Sequence, residues 1–362
     1  MGPAQDLVRR ARPMGELTNK IHKQKMKFPT SLKLAGATAA ALVVSSSLMA
    51  EVELTKEFSL SGYVVGSASY NKIQGSSSDS NLDLDAYKLQ GVGKFDKVSI
   101  TGSVFAYGTG SGDGFGSSPI VLDAYGTYDF GGGSTVSVGK FLSWLGYEAF
   151  DSINMLQISY ANPGSTGFIP AYHTGVKVEK STDAFAVGVA VLDSVYGPTY
   201  YKGDGDLDNG VGLETYFTYK AIKDFTLFAG LAYDTGDAAK TKAFTADLWA
   251  QYVLGKTTFA GEFCYGSKKY KDTGLEGAPI GTADGYFWLA LVKQAFDDKW
   301  SLTGRISGGE GVDKDRFTRF TIAPTYAVTK NLDVLAEYTY TDLSHAAADY
   351  AQYAGIQVRF KF

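Results

Sequence analysis

From residue 57 to the end, apolar and polar residues of this chain alternate in short runs separated by turn residues. The last ten residues show it: Ile356, Val358, Phe360 and Phe362 alternate with Gln357, Arg359 and Lys361. Other apolar sets are Ile120/Leu122/Ala124, Phe185/Val187/Val189/Val191, Phe225/Leu227/Ala229/Leu231 and Leu332/Val334/Ala336/Tyr338. A period of two places one set on each face of a strand. On this basis the pattern predicts sixteen strands, at 57–70, 82–95, 98–108, 119–130, 134–142, 171–180, 184–192, 210–220, 225–234, 243–254, 257–266, 283–294, 300–308, 315–328, 332–342 and 350–362. Segment 283–294 is the exception to clean alternation. It is apolar on both faces from Tyr286 to Val292, which suits either a subunit contact or contact with a loop folded inward.

The connections alternate as well. Asp96-Lys97, Gly131–Gly133, Ser181–Asp183, Ala221–Asp224, Gly255-Lys256, Ala295–Lys299 and Thr329–Asn331 are tight, and the links between them are mostly longer and rich in Gly, Ser and Asp. Short periplasmic turns opposite longer external loops are the layout of an outer-membrane barrel. The expected fold is therefore all-β, a transmembrane antiparallel up-and-down β-barrel of about sixteen strands. Aromatics beside the tight turns, Phe58, Phe95, Phe130, Phe185, Phe225, Tyr252, Phe259, Trp300, Tyr326 and Phe362, form the expected periplasmic girdle. The polar sets bring Asp123, Asp129, Glu214, Asp247, Glu262, Arg305, Arg319, Asp333 and Glu337 to the inner face. A charged inner face is a wet one, and sixteen strands leave room for an aqueous channel where eight would be filled by side chains.

The N-terminal segment reads as an export signal. Residues 26–33 are basic, 34–44 are apolar, and Ser45 to Ala50 offer a small residue before Glu51. The apolar run is too short to span a membrane. The expected organisation is a non-native or extended N-terminal leader over 1–25, a signal peptide over 26–50 and one barrel domain over 51–362. The first 50 residues hold eight of the 34 Lys/Arg and two of the 38 Asp/Glu, so 26 basic and 36 acidic groups remain. That balance argues against nucleic acid, which needs a basic footprint. The single cysteine, Cys264, has no partner within the chain for a disulfide and reads as a small tolerated residue.

The longest external link, residues 143–170, follows the fifth strand and is the third external loop. Trp144 to Asp151 and Ile153 to Ser159 are too apolar to stand in water. Two readings remain: the loop packs inside the barrel, or it caps the mouth or meets a neighbouring subunit. Around this loop Gly139-Lys-Phe141, Leu145-Gly-Tyr-Glu148, Ser159-Tyr160 and Pro170–Val176 together resemble the beta-barrel porin-2 (OmpL-like) family. The resemblance implies an outer-membrane porin of undefined substrate and no catalytic residue.

The expected function is an outer-membrane porin: a water-filled channel for passive diffusion of ions and small hydrophilic solutes, constricted by the third loop. A non-conducting structural or adhesive barrel is the alternative, with an outer-membrane barrel hydrolase behind it. Selectivity in a pore comes from charge at the constriction. Lys88, Arg305 and Arg319 fall near mid-strand on the arc of first and last strands, and Glu148 and Asp151 of the loop would face them. Arg359, Glu337, Asp123, Asp247 and Glu262 add lumen charge. For a hydrolase the candidate bases after export are His173 and His345, with Ser344 beside the latter; there is no G-x-S-x-G, H-E-x-x-H or Walker pattern. Asp204, Asp206 and Asp208 alternate as in half a calcium loop, but Asn209 and Thr215 stand where the turn glycine and the bidentate glutamate belong, which leaves a weak divalent-ion candidate or a solvated acidic loop. No cofactor is expected. Expected partners are outer-membrane lipid and lipopolysaccharide, the barrel assembly machinery through the strand ending at Phe362, and further copies of the chain in a homotrimer.

Overall fold

The structure is a computed structural model that describes residues 51–107, 119–148, 150–161, 168–196, 210–235, 240–270, 281–311, 314–344 and 348–362. The leader and signal segments, Asp204, Asp206, Asp208 and His345 lie outside the described residues.

Seventeen strands are described: β1 (Val52–Glu53), β2 (Phe58–Ile73), β3 (Asp79–Phe95), β4 (Val98–Tyr107), β5 (Ile120–Gly131), β6 (Ser134–Leu142), β7 (Tyr172–Ser181), β8 (Phe185–Leu192), β9 (Gly212–Tyr219), β10 (Phe225–Asp234), β11 (Lys240–Leu254), β12 (Thr257–Tyr270), β13 (Gly281–Ala295), β14 (Trp300–Glu310), β15 (Arg316–Thr329), β16 (Leu332–Ser344) and β17 (Tyr350–Lys361). Each of β2 to β17 pairs antiparallel with its neighbours in sequence, and β17 pairs with β2, from Ala351 opposite Ile73 to Lys361 opposite Tyr63. The result is a closed sixteen-strand barrel, in which each of β2 to β17 has a neighbour on both sides. The expected strands match in number and nearly in bounds. The stub β1, which pairs only with the start of β2 through Val52 and Glu53, was not foreseen.

Local chemistry fixes the hairpins. Phe95 pairs with Val98 and Leu254 with Thr257, which leaves two-residue turns, and Asp96 (φ 52°) and Gly255 (φ 60°) supply the left-handed backbone that such turns require. The closing seam is fixed at the C-terminus of the chain, at the same end of the barrel as these turns. The Phe362 N–H donates to the Gly62 carbonyl at 3.0 Å, Gly62 donates back to Phe362 at 2.9 Å, and a Cβ at Gly62 would lie 2.9 Å from the Phe362 ring.

The outward sets are exposed as the alternation predicts, and girdle aromatics meet edge-on or tilted across strands, as in Phe58–Phe95 and Trp300–Tyr326. One expected set is corrected. Of Ile120, Leu122 and Ala124 only Ala124 is exposed: Leu122 is fully buried, Ile120 packs against the same interior cluster, and Val121 is exposed instead. The cause is a β-bulge: Gly102 pairs with Ala124 and Val104 with Val121, so Ser103 alone opposes both Leu122 and Asp123. Both side chains are buried, and the Ser103 hydroxyl donates to Asp123 at 2.6 Å. A second bulge leaves Asp85 unpaired on β3, where it accepts from Ser67 and Gln357.

The two-faced apolar segment in β13 also finds its reason. Phe287, Leu289 and Leu291 are buried, and the first packs with Phe168, Cys264 and Phe317 while the other two join a cluster with Trp144, Leu145 and Tyr147. Of the two readings, contact with an inward-folded loop is the one seen.

Candidate functional site: the loop across the lumen

The third external loop leaves β6 and re-enters the wall at β7, and its polar contacts run round the inner face of the barrel. The first leg is held by three wall carboxylates. Glu214 on β9 accepts the Trp144 N–H at 2.6 Å and the Ser143 hydroxyl at 3.0 Å, Asp247 on β11 accepts the Gly146 N–H at 2.8 Å, and Glu262 on β12 accepts the Tyr147 N–H at 2.8 Å. All three carboxylates are buried. Loop N–H groups have no ladder to join, and a side-chain carboxyl oxygen satisfies each. Gly146 adopts φ +102°, and a Cβ there would come within 3.0 Å of Ile169 on the returning leg, so the chain needs glycine at this bend. Burial, followed by the Glu148 and Glu262 carboxylates, pushes the Tyr147 phenol above its ordinary value. It remains a donor, to Gln251 at 3.0 Å.

Beyond Tyr147 the loop crosses to charged wall residues of both signs. Glu148 forms an ion pair with Arg305 on β14 and also accepts from Gln157 and the Ala161 N–H. Asp151 accepts from Lys88 on β3 at 3.0 Å and from the Tyr63 hydroxyl on β2 at 2.9 Å. A 3-10 turn, Ser152–Asn154, follows, and Arg359 on β17 donates to the carbonyls of Ser152 (3.3 Å) and Met155 (2.8 Å). Glu337 on β16 accepts the N–H of Ile158 at 2.5 Å and of Ser159 at 3.1 Å, and Arg319 on β15 donates to the Tyr160 carbonyl at 2.7 Å. Partners on β9, β11, β12, β14, β3, β2, β17, β16 and β15 are reachable by one short segment only through the interior. The loop therefore lies across the lumen.

Apolar packing fills what the polar contacts outline. Phe150 and Ile153 sit among Tyr63, Phe105, Leu122 and Tyr172, and Trp144 and Leu145 sit among Tyr216, Phe228 and Trp249. On the returning leg Phe168 is buried where Gly266 and Gly285 leave space; a Cβ at Gly266 would fall 2.0 Å from the Phe168 ring.

The structure brings together most of the residues that the sequence singled out. Glu148 meets Arg305, and Lys88 lies between Asp151 and Asp123, the latter at 3.2 Å. The sequence reading set these charges opposite one another; here they touch. Arg319 binds a loop carbonyl and, among the described residues, no loop carboxylate. Arg359 pairs with Asp333 at 2.5 Å. Asp247, Glu262 and Glu337, expected as lumen charge, anchor loop backbone. Asp234 on β10, not singled out before, holds the next external segment in the same way, accepting the Ser194 hydroxyl at 2.6 Å and the Val195 N–H at 3.0 Å. The only sequence sign of these anchors is an acidic residue on an inner face, which does not reveal which backbone it meets.

His173 is buried, edge-on to Phe141, with Nε2 at 3.6 Å from Glu214. Ser143 and His173 thus meet on one carboxylate, and among the described residues no hydrogen bond joins them to each other. A serine nucleophile needs its hydroxyl on the imidazole.

The family profile described as "Putative beta-barrel porin-2, OmpL-like" matches residues 99–360. The chain belongs to this family. No curated protein matches it. Among solved structures, similarity extends to OprB of Pseudomonas putida (11% identity, 84% of this chain and 94% of that chain, TM-score 0.64) and to the anion-selective porin from Comamonas acidovorans (11%, 84% and 99%, TM-score 0.62). The trimer form of in-vitro folded OmpT, an outer-membrane protein of Vibrio cholerae, matches at 15% identity over 84% of this chain and 100% of that chain, with a TM-score of 0.57. At these identities the likeness is one of fold. Family and fold together make this a porin-type barrel of the outer membrane.

Proposed function

We propose that this porin-family barrel conducts ions and small hydrophilic solutes by passive diffusion, through a water-filled channel that the third external loop constricts. The observation that carries the proposal is the loop's course across the lumen, pinned at Glu214, Asp247, Glu262, Arg305, Lys88, Arg359 and Glu337. A segment held at so many points sets a fixed aperture rather than a swinging lid. Around that aperture Glu148, Asp151, Lys88, Arg305 and Arg319 would form the filter, with Asp123 and Arg359 next to them. Because the first four pair off, their field falls away over short distances, and discrimination would depend more on size than on a strong transverse field. The acidity of the exported chain favours cations weakly.

The same anchoring gives weight to a second reading, a barrel sealed by its loop that serves a structural or adhesive role. Single-channel recording in planar bilayers separates the two. The proposal expects ohmic steps smaller than those of an unobstructed sixteen-strand barrel, and a shift of the reversal potential towards anions in the double variant E148Q/D151N. No steps at all would favour the sealed barrel; steps with an unchanged reversal potential would remove the loop carboxylates from the filter. A hydrolase finds little support in the Ser143–Glu214–His173 geometry. Export by a cleaved signal peptide, recognition of the Phe362 strand by the assembly machinery, contact with lipopolysaccharide and assembly as a homotrimer complete the proposal.

A further inference from the structure

Beneath the loop, at the periplasmic end of the barrel, lies a cavity of about 400 Å³. Its ceiling is the loop segment 153–156 and its inner wall carries Lys293, Asp333, Arg359 and Lys361. The volume lies at the lower end of the range of small-ligand sites, about 300–1,000 Å³.

The charges on this wall do not balance. Asp333 is shared between Arg359 at 2.5 Å and Lys361 at 3.5 Å. Lys293, which enters from β13 on the inner face, has no carboxylate within 4.0 Å among the described residues; Arg359 and Lys361 act on it as like charges and Asp333, from farther off, as an opposite one. Three cations thus stand against one carboxylate. Asp297, Asp298 and Lys299 also line the cavity, at its exposed rim, so the lining as a whole still carries four cations against three carboxylates; the Asp297 carboxylate accepts the N–H groups of Lys299 and Trp300 at 2.7 Å each. A half-buried ammonium beside two other cations is costly unless an anion joins them.

We infer that this cavity is a binding site for a small dianionic oxyanion entering from the periplasmic side, with Lys293 on one flank and Arg359 and Lys361 on the other. Lysine supplies a compact, mobile charge and arginine a planar fork of donors, a combination suited to oxygen clusters rather than to a bare halide. Arg359 also donates to the loop carbonyls of Ser152 and Met155, so an occupant would touch the residue that holds the loop.

The test is isothermal titration calorimetry of the full-length folded barrel in detergent, with sulfate as probe and chloride at matched ionic strength as control. Conductance is not involved, so the outcome is independent of whether the channel conducts. Saturable sulfate binding, absent with chloride and weakened at least tenfold in K293Q, is the expected result. K361Q, at the solvent-facing end of the cluster, should weaken binding in the same direction and serves in place of K293Q if that variant does not fold. No saturable sulfate heat, equal responses to sulfate and chloride, or affinity unchanged in whichever lysine variant folds would overturn the assignment.

Discussion

At the scale of single residues the most exacting contact is Glu148 with Arg305, whose side chains are 8% and 0% exposed. A buried ion pair gains little over an apolar pair, but removing one partner strands the other charge and costs about 3–5 kcal/mol. Glu148→Gln should therefore lower stability by about 3 kcal/mol, read from urea unfolding in detergent, and E148Q/R305M should recover part of that loss. An additive double variant would mean that the two residues act separately. Asp297, in the periplasmic turn before β14, gives a pH-dependent counterpart. The N–H groups of Trp300 and Lys299 hold its carboxyl below the ordinary carboxylate range. A depressed folded pKa contributes stability that is present above the unfolded value and lost as pH falls through the folded value. Asp297→Ala should thus be less stable than wild type at neutral pH, and the difference should vanish at acid pH. A difference that persists at acid pH would assign the effect to the turn backbone rather than to charge.

At the scale of elements, the strands were legible because alternation encodes a face directly: β6 and β10 fall where the sequence placed them, and β2 or β12 differ only in how far they run beyond the wall. Leu122 was misread because a bulge resets the phase, and nothing in Ile120 to Ala124 announces the extra residue opposite Ser103. The loop anchors were half legible. Glu214, Asp247 and Glu262 could be placed on the inner face, but their backbone partners lie 70, 101 and 115 residues away in sequence and follow no local pattern. The apolar run in β13 was legible as an anomaly, and the returning leg of the loop explains it. Phe168, 1% exposed among Cys264, Phe287 and Phe317, is the side chain that seats that leg. Phe168→Ala should cost about 3–5 kcal/mol, and Gly266→Val, which occupies the same space from the wall side, should displace the ring and produce a comparable loss. If denaturant midpoints of both variants match wild type, the leg contributes nothing to stability.

At the scale of the whole molecule, wall and loop are held by different forces, and this separation makes their roles testable apart. The wall is an antiparallel ladder, interrupted at its bulges and closed at Gly62 and Phe362, in which strand-to-strand hydrogen bonds satisfy the backbone. The first leg of the loop depends instead on three acidic side chains that accept its N–H groups, each hydrogen bond contributing on the order of 0.5–1.5 kcal/mol. The triple variant E214Q/D247N/E262Q keeps side-chain size and the wall ladder but leaves each anchor one acceptor oxygen instead of two. It should still run as a heat-modifiable folded barrel on gels, while the loop loosens and single-channel conductance rises several-fold with larger fluctuations. Unchanged conductance in a folded triple variant would show that the apolar seats of Trp144, Leu145 and Phe168 fix the aperture without help, and the carboxylates would then be anchors of stability rather than of pore size.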